Sequence, residues 1–248
     1  MRPLIKRIKP TSGFSHFLHI TLVLVLPVAV FVLTSLGFVQ LVISLIILSK
    51  WRMFAVRPRF WAANIRANAV DLMVGLSVVV FMVHSGIVLK LLWTVLYAVW
   101  LLFIKPATSE GVITLQAFIG QLSALMALYI VWAGGPIWGL TLATGLLCFL
   151  AARHFLEAFE EPYARLISYI WGYFGAALAW LLSHWLLFYR IVALPTLLLT
   201  CLGYGIAVLY YLSHNDKLTS ALKRQFIFGM SAITLVILVF SDWGDKVV

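Results

Sequence analysis

Long apolar stretches alternate with short polar breaks along the whole chain. A helix that crosses the roughly 30 Å hydrocarbon core of a membrane needs about 17–25 apolar residues, and nine stretches approach or reach this length. They cover residues 14–33, 37–53, 69–84, 86–104, 112–133, 137–158, 162–188, 190–212 and 225–242. The pattern predicts an all-α fold, in which residues 1–248 form a single transmembrane bundle of about nine helices.

Turn-forming residues mark most of the joints between these stretches. Gly or Pro stands at 84–86, 105–106, 134–136 and 161–162, and a polar stretch covers 213–223. Gly supplies turn geometry, and Pro fits the first turn of the following helix. The first joint is less clear, since residues 14–48 form one apolar run. Because a single helix of that length exceeds the thickness of a membrane, we expect a helical hairpin that bends at 34–37.

The composition excludes a soluble domain. Apolar residues make up 64% of the chain and charged residues only 10%, whereas about a quarter of an ordinary soluble domain is charged. The mean hydropathy is +1.07, and one soluble core in a chain of this size cannot bury so much apolar surface. Cys148 and Cys201 both lie inside apolar stretches, so neither a disulfide framework nor a thiolate metal site is predicted.

The distribution of basic residues predicts the orientation in the membrane. Cytoplasmic loops of membrane proteins retain Lys and Arg. With the N-terminus inside, all but three of the 18 basic residues fall on the cytoplasmic side, and Lys90, Arg190 and Lys246 remain outside. We therefore predict an internal N-terminus, an external C-terminus and no nucleic-acid partner. The first stretch is expected to be an uncleaved signal anchor, because no A-x-A cleavage pattern follows it.

A basic and aromatic segment, residues 50–71, is the most distinctive part of the sequence. From Pro58 onward, its pattern predicts a helix that continues into the third span. Its basic and aromatic side chains are predicted to bind anionic lipid headgroups at the cytoplasmic surface; alternatively, they serve only as topology signals with an interfacial tryptophan. The residues with this predicted role are Arg57, Arg59, Trp61 and Arg66.

Three polar residues in the same segment form a second predicted group. At helical spacing, Asn64, Asn68 and Asp71 share one stripe with Trp61. A carboxylate this far into a span costs about 2–3 kcal/mol unless it is paired or hydrated. We therefore expect these side chains to face protein, with Asp71 neutralised by a Lys or Arg from another helix. A structural polar clamp is one interpretation, and a transport or catalytic role is the other.

Lys50, Arg57 and Pro58 match K-x6-R-P, the first motif of the type 2 phosphatidic acid phosphatases. The two further motifs of that family, P-S-G-H and S-R-x5-H-x3-D, are absent from the chain. Since the second and third motifs complete the phosphate site and include the histidine nucleophile, the match does not predict phosphatase activity.

Two groups of histidines raise the question of a metal or haem. His154 and Glu157 are one turn apart, as in the metal sites of helical bundles, but ion pairs of Glu157 with Arg153 and of Glu161 with Arg165 explain this region more simply. His84 and His184 fall near the outer face without any further haem motif. We predict no catalytic residue, no cofactor and no metal site.

Small residues recur at helical spacing in two of the predicted spans and favour close helix packing, within the chain or in a homo- or hetero-oligomer. They are Ser168, Gly172, Gly175, Ala176 and Ala179 in one span, and Gly120, Ser123 and Ala127, together with Gln116, in the other.

The segment 50–71 and the terminal residues 241–246 resemble uncharacterised multi-pass membrane proteins of the candidate-phyla-radiation bacteria. This resemblance implies a bacterial plasma membrane and no particular activity. The sequence as a whole favours a non-enzymatic bundle: a small-solute or lipid transporter, or a membrane-embedded partner subunit, in contact with anionic lipids. The alternative is an intramembrane enzyme that acts on a lipid-linked phosphate.

Overall fold

The computed structural model describes residues 13–132, 134–184, 188–189 and 192–241, and this part of the chain is almost entirely helical. Its α-helices are α1 Gly13–Ser35, α2 Val39–Leu48, α3 Trp61–Ala67, α4 Ala69–Val83, α5 Ile87–Val99, α6 Glu110–Trp132, α7 Ile137–Ala158, α8 Ala164–Ser183, α9 Leu194–His214 and α10 Ser220–Val239. The predicted all-α class is confirmed.

Five short elements complete the described structure. Two 3-10 turns, Trp51–Met53 and Pro58–Phe60, precede α3, and a π-helical turn, Trp100–Ile104, extends α5. Between α8 and α9, β1 (Phe188–Tyr189) pairs antiparallel with β2 (Val192–Ala193). The strand pair lies where the sequence predicted a direct joint between two spans.

The described helices include six that are long and apolar enough to cross a membrane: α5 with its π-helical turn, and α6 to α10. A seventh results if Pro58–Ala67 and Ala69–Val83 are taken as one bent span. These helices are those of a multi-pass membrane protein. By contrast, α2 has ten residues and rises only about 15 Å at 1.5 Å per residue. The predicted count of nine spans therefore stays a prediction.

The connections after α2, α5, α7 and α9 lie at one end of the bundle. Lys50 and Lys105, which follow α2 and the π-helical turn, both contact Asp71 at the start of α4. At the same end, Asn215 after α9 donates to Glu110 at the start of α6 over 3.0 Å. We call this the charged end. The sequence predicted that these same four connections lie together, on the cytoplasmic side of the membrane.

Two joints show how local chemistry sets the helix ends. The predicted bend at 34–37 is present, and Gly37 adopts a φ of +83° there, a conformation that glycine tolerates at little cost. The predicted continuous helix from Pro58 is wrong, because the chain bends by 65° between Pro58–Ala67 and Ala69–Val83. Asn68 leaves helical geometry at the bend, and its side-chain amide donates to the Asn64 carbonyl over 2.9 Å. Such local bonds compete with the helical backbone.

The small residues of α8 pack against α7, as predicted for a close helix contact. A Cβ at Gly172 would lie 2.9 Å from the Gly145 carbonyl oxygen, and one at Gly175 would lie 2.7 Å from Cys148 Sγ. In α6, a Cβ at Gly120 would meet Val70 of α4 at 2.8 Å. At these positions the small residues are used within the chain. Assembly with another chain, which stays a prediction, would need other surfaces.

Candidate functional site

A buried carboxylate with two lysine partners lies at the charged end. The Lys50 ammonium contacts Asp71 Oδ2, and Lys105 Nζ lies 2.5 Å from the same oxygen. The side chains of Lys50 and Asp71 are each 8% exposed, and that of Lys105 is 36% exposed. The second carboxylate oxygen, Oδ1, accepts a hydrogen bond of 3.0 Å from Trp100 Nε1. These four residues, the charge cluster, join the ends of α2 and α5 to the start of α4.

The sequence places each member of the charge cluster at a helix end. Asp71 lies in the first turn of α4, where the helix dipole favours a negative charge. Trp100 begins the π-helical turn, in which the Lys105 amide donates to the Trp100 carbonyl over 2.8 Å. Burial lowers the pKa of the Lys50 amine, while the Asp71 carboxylate acts in the opposite direction. The cluster carries one more positive than negative charge, and its exposed cation is Lys105.

The basic and aromatic segment lies beside this cluster and presents its cations outward. Arg57, Arg59 and Arg66 are exposed, and none of them has a carboxylate within 4.0 Å in the described part of the chain. The Arg59 guanidinium lies 4.6 Å from the centre of the Phe60 ring. Trp61 is 39% exposed and donates from Nε1 to the Val56 carbonyl over 3.0 Å. We call residues 51–67 the interfacial segment.

The predicted polar group of Asn64, Asn68 and Asp71 is divided by the bend before α4. Asn64 Nδ2 donates to the Met53 carbonyl over 3.3 Å, and Asn68 donates back to Asn64, so the two amides fold the interfacial segment on itself. Both amides are half-buried, whereas Asp71 is buried. The carboxylate therefore belongs to the charge cluster and not to a common polar stripe. Its neutralisation by lysines from outside its own helix agrees with the prediction.

A glutamine that the sequence did not single out for chemistry connects α5, α6 and α7. Gln116 Nε2 donates to the carbonyls of Ile104 and Ala107, over 2.7 and 3.0 Å. Its Oε1 lies 3.1 Å from His154 Nε2. An amide that pairs with three partners holds the connection after α5 in place, and its spacing in the sequence gives no sign of this role.

Of the two ion pairs predicted near the end of α7, one is present in the structure and the other is not. Arg153 Nε lies 2.6 Å from Glu157 Oε1, so the predicted ion pair is confirmed. The predicted pair of Glu161 with Arg165 is wrong, because Glu161 instead accepts a hydrogen bond from the Tyr210 hydroxyl. Within the described ranges, no three His, Cys, Asp or Glu side chains are grouped to hold a metal ion.

A cavity between α6, α7, α8 and α9 was also not predicted from the sequence. Its volume is about 140 Å³, and its walls include Ala117, Phe155, Trp171 and Ala207. The alanines and aromatic residues that form it are the same types that fill membrane helices in general, so their pattern does not reveal a void.

The site thus combines an exposed cationic surface, a buried charge cluster and an apolar cavity in one helical membrane protein. The resemblance to proteins of the candidate-phyla-radiation bacteria stays a prediction, because comparison with protein-family models, curated proteins and solved structures yields no match.

Proposed function

We propose that this chain is a non-enzymatic bundle of the bacterial plasma membrane that binds anionic lipids at its cytoplasmic face. One observation carries the proposal: Arg57, Arg59 and Arg66 are all exposed and have no carboxylate partner among the described residues. Arg59 and Arg66 lie on the segment Pro58–Ala67, which is bent by 65° away from the axis of α4, and Arg57 directly precedes this segment. A guanidinium without a carboxylate partner is available for a phosphate, which it binds through two parallel hydrogen bonds.

The aromatic side chains of the interfacial segment support the same surface. Trp51 and Phe60 are 60% and 46% exposed, and Phe54 and Trp61 are each 39% exposed. Tryptophan and other large aromatic residues favour the boundary between headgroups and hydrocarbon. In such a segment the arginines can contact the charged headgroups, and the aromatic rings can contact the hydrocarbon next to them.

The expected strength follows from the number of free cations. A basic residue near an anionic leaflet contributes about 1 kcal/mol, so three arginines contribute about 3 kcal/mol. This corresponds to a preference for anionic over neutral lipid of roughly a hundredfold. The excess positive charge of the charge cluster, through the partly exposed Lys105, adds to the same field.

Binding without catalysis is favoured by the engagement of the reactive side chains at this end. His154 pairs with Gln116, Glu157 with Arg153, and Glu161 with Tyr210. The cavity between α6 and α9 has almost entirely apolar walls, which does not favour passage of a polar solute. These observations support lipid binding over both solute transport and chemistry on a lipid-linked phosphate.

A charge-matched pair of variants tests this proposal. The first replaces Arg57, Arg59 and Arg66 by glutamine, and the control replaces Arg165, Lys223 and Arg224, three exposed basic residues elsewhere at the charged end. Each protein is placed in nanodiscs with equal amounts of phosphatidylglycerol and phosphatidylethanolamine, and bound lipids are counted by native mass spectrometry. We expect the anionic preference to fall in the first variant and to persist in the control.

An equal loss in both variants would mean that the surface acts only through its total charge. An unchanged preference in the first variant would show that the arginines serve as topology signals alone. Asn64→Ala, which leaves every cation in place, provides a further reference for the effect of changing the segment itself.

A further inference from the structure

The cavity between α6, α7, α8 and α9 has the shape and surface of a site for a hydrocarbon chain. Its volume is about 140 Å³, close to that of engineered protein cavities that hold one benzene molecule. Aromatic rings form much of its wall. They belong to Phe118, Phe155, Trp171, Tyr204 and Tyr210.

The length of the cavity corresponds to one leaflet of a bilayer. Tyr210 lies one turn before the end of α9 at the charged end, and Thr200 lies ten residues deeper along the same helix. Ten helical residues rise about 15 Å, which is half of the roughly 30 Å hydrocarbon core. The cavity therefore extends from the region of the headgroups to the middle of the membrane.

Two polar side chains in its wall, Gln121 and Thr200, are directed toward protein. Gln121 donates from Nε2 to the Leu199 carbonyl over 2.9 Å and accepts from Trp171 Nε1 over 3.1 Å. The Thr200 hydroxyl oxygen is buried against protein and presents no accessible surface to the cavity. A buried water needs two to four polar partners, and apolar cavities that lack them stay dry.

The cavity opens sideways into the surrounding hydrocarbon. The exposed members of its wall are Ile167, Tyr204 and Ile206, which are 37%, 43% and 51% exposed and belong to α8 and α9. In a membrane, acyl chains form the medium at this opening and are present at far higher concentration than any other apolar molecule. We propose that the cavity binds one acyl chain of a phospholipid from the leaflet at the charged end, with one side of the chain in the cavity and the other side in the opening toward the surrounding hydrocarbon.

This second lipid site lies on helices other than those of the interfacial segment. It depends on the charged end being at the membrane surface, but it does not depend on the arginines.

The acyl-chain site is tested with phosphatidylcholine that carries a photoreactive diazirine at one position of one chain, either near the carbonyl or near the terminal methyl. The full-length protein is labelled in nanodiscs, and the modified residues are identified by mass spectrometry. Labels near the carbonyl should attach around Phe155 and Tyr210, and labels near the methyl around Gln121 and Thr200.

Cavity-filling variants complete the test. Ala207→Phe or Ala152→Phe should reduce labelling of the wall about tenfold, as expected if the new ring displaces roughly two methylene groups of the chain. Ala177→Phe makes the same change on the exposed face of α8 and should leave labelling unchanged. Equal labelling of the cavity wall and of exposed membrane-facing residues in the wild-type protein would overturn the proposal, as would full labelling in a folded Ala207→Phe protein.

The outcome is separable from that of the headgroup proposal. Replacing Arg57, Arg59 and Arg66 by glutamine should not change labelling of the cavity, and filling the cavity should not change the preference for anionic lipid. Phosphatidylcholine is used because it carries no net charge for the arginines to select.

Discussion

Trp100 Nε1 donates a hydrogen bond of 3.0 Å to Asp71 Oδ1, and both side chains are buried. The two residues are 29 positions apart and join the end of α5 to the start of α4. Because the two lysines occupy the other carboxylate oxygen, both oxygens of a carboxylate inside a membrane protein have partners. A buried charge is tolerated under this condition, since its desolvation is offset only by close and complete pairing.

Removing the carboxylate should therefore destabilise the protein strongly. Asp71→Asn leaves the buried Lys50 ammonium without its partner, and breaking a buried pair in this way costs about 3–5 kcal/mol. The free energy of unfolding, measured by chemical denaturation in a fixed detergent, should fall by this amount. Lys50→Met combined with Asp71→Asn should lose less than Asp71→Asn alone, because it leaves no unpaired ammonium at position 50.

A second ion pair provides the control for this experiment. Glu157 pairs with Arg153 at i,i+4, and its side chain is 43% exposed. Exposed pairs at i,i+4 contribute about 0.5 kcal/mol or less. Because the Arg153 side chain is only 16% exposed, Glu157→Gln should cost more than this, but clearly less than Asp71→Asn. Comparable losses for Asp71→Asn and Glu157→Gln would contradict a buried role for the charge cluster.

The tryptophan hydrogen bond can be tested separately from the packing of its ring. Trp100→Phe keeps an aromatic ring and removes the donor, and a hydrogen bond to a charged group contributes about 1.5–3 kcal/mol. Trp93→Phe is the matched change, at a ring that packs against Phe81 with centroids 4.7 Å apart. Unfolding in the same detergent should show a larger loss for Trp100→Phe by at least about 1 kcal/mol. Equal losses would mean that the hydrogen bond contributes nothing beyond the ring.

Much of the fold was predictable because apolar length and turn residues act locally. Each of the nine predicted stretches contains a helix, and Gly37 and the prolines at the joints lie in or next to connections. The length of α2 was not predictable, since no Gly or Pro follows Leu48 until Pro58 to mark the end of a helix. The choice of where that helix ends depends on tertiary contacts, above all the burial of Lys50 against Asp71.

The candidate site was predictable in its residue types but not in its pairings. The free-energy cost of placing the Asp71 carboxylate inside a span implied a cationic partner from another helix. Several basic residues could have been that partner. Choosing Lys50 and Lys105 requires knowing which helix ends meet. The bend before α4 has a local cause, since the Asn68 side chain donates to the Asn64 carbonyl four residues earlier. Periodicity alone predicted one continuous helix through this position.

Close packing of α7 and α8 gives a third prediction, which concerns backbone contact. A Cβ at Gly172 would approach the Gly145 carbonyl oxygen to 2.9 Å and Phe149 Cβ to 3.0 Å. Since neither backbone can move without separating the helices, Gly172→Ala should lower the free energy of unfolding by about 1–3 kcal/mol. Gly229→Ala in α10 meets no atom within 4 Å and should raise stability by about 0.5–1 kcal/mol. A stabilising effect of Gly172→Ala would contradict this packing.

The orientation of the bundle gives the fourth prediction. The charged end groups the connections after α2, α5, α7 and α9, and the basic residues of these connections include Lys50, Arg57, Lys105 and Lys217. Since cytoplasmic loops retain Lys and Arg, this end should face the cytoplasm. Alkaline phosphatase, which is active only outside, and green fluorescent protein, which fluoresces only inside, are fused after chosen positions in separate fusion proteins that are expressed in bacteria.

Fusions after residues 56, 109 and 218 should fluoresce, and those after 135 and 248 should show phosphatase activity. The first three positions follow α2, the π-helical turn and α9, so a single orientation must place them on one side whatever the number of full spans. Fluorescence at 135 together with phosphatase activity at 109 would reverse the orientation and move the arginines of the interfacial segment to the outer leaflet. A fluorescent fusion after residue 248, with all other results as expected, would place both ends of the chain inside. The chain would then cross the membrane an even number of times. The count of nine spans would then be wrong, although the shared position of the charged connections would stand.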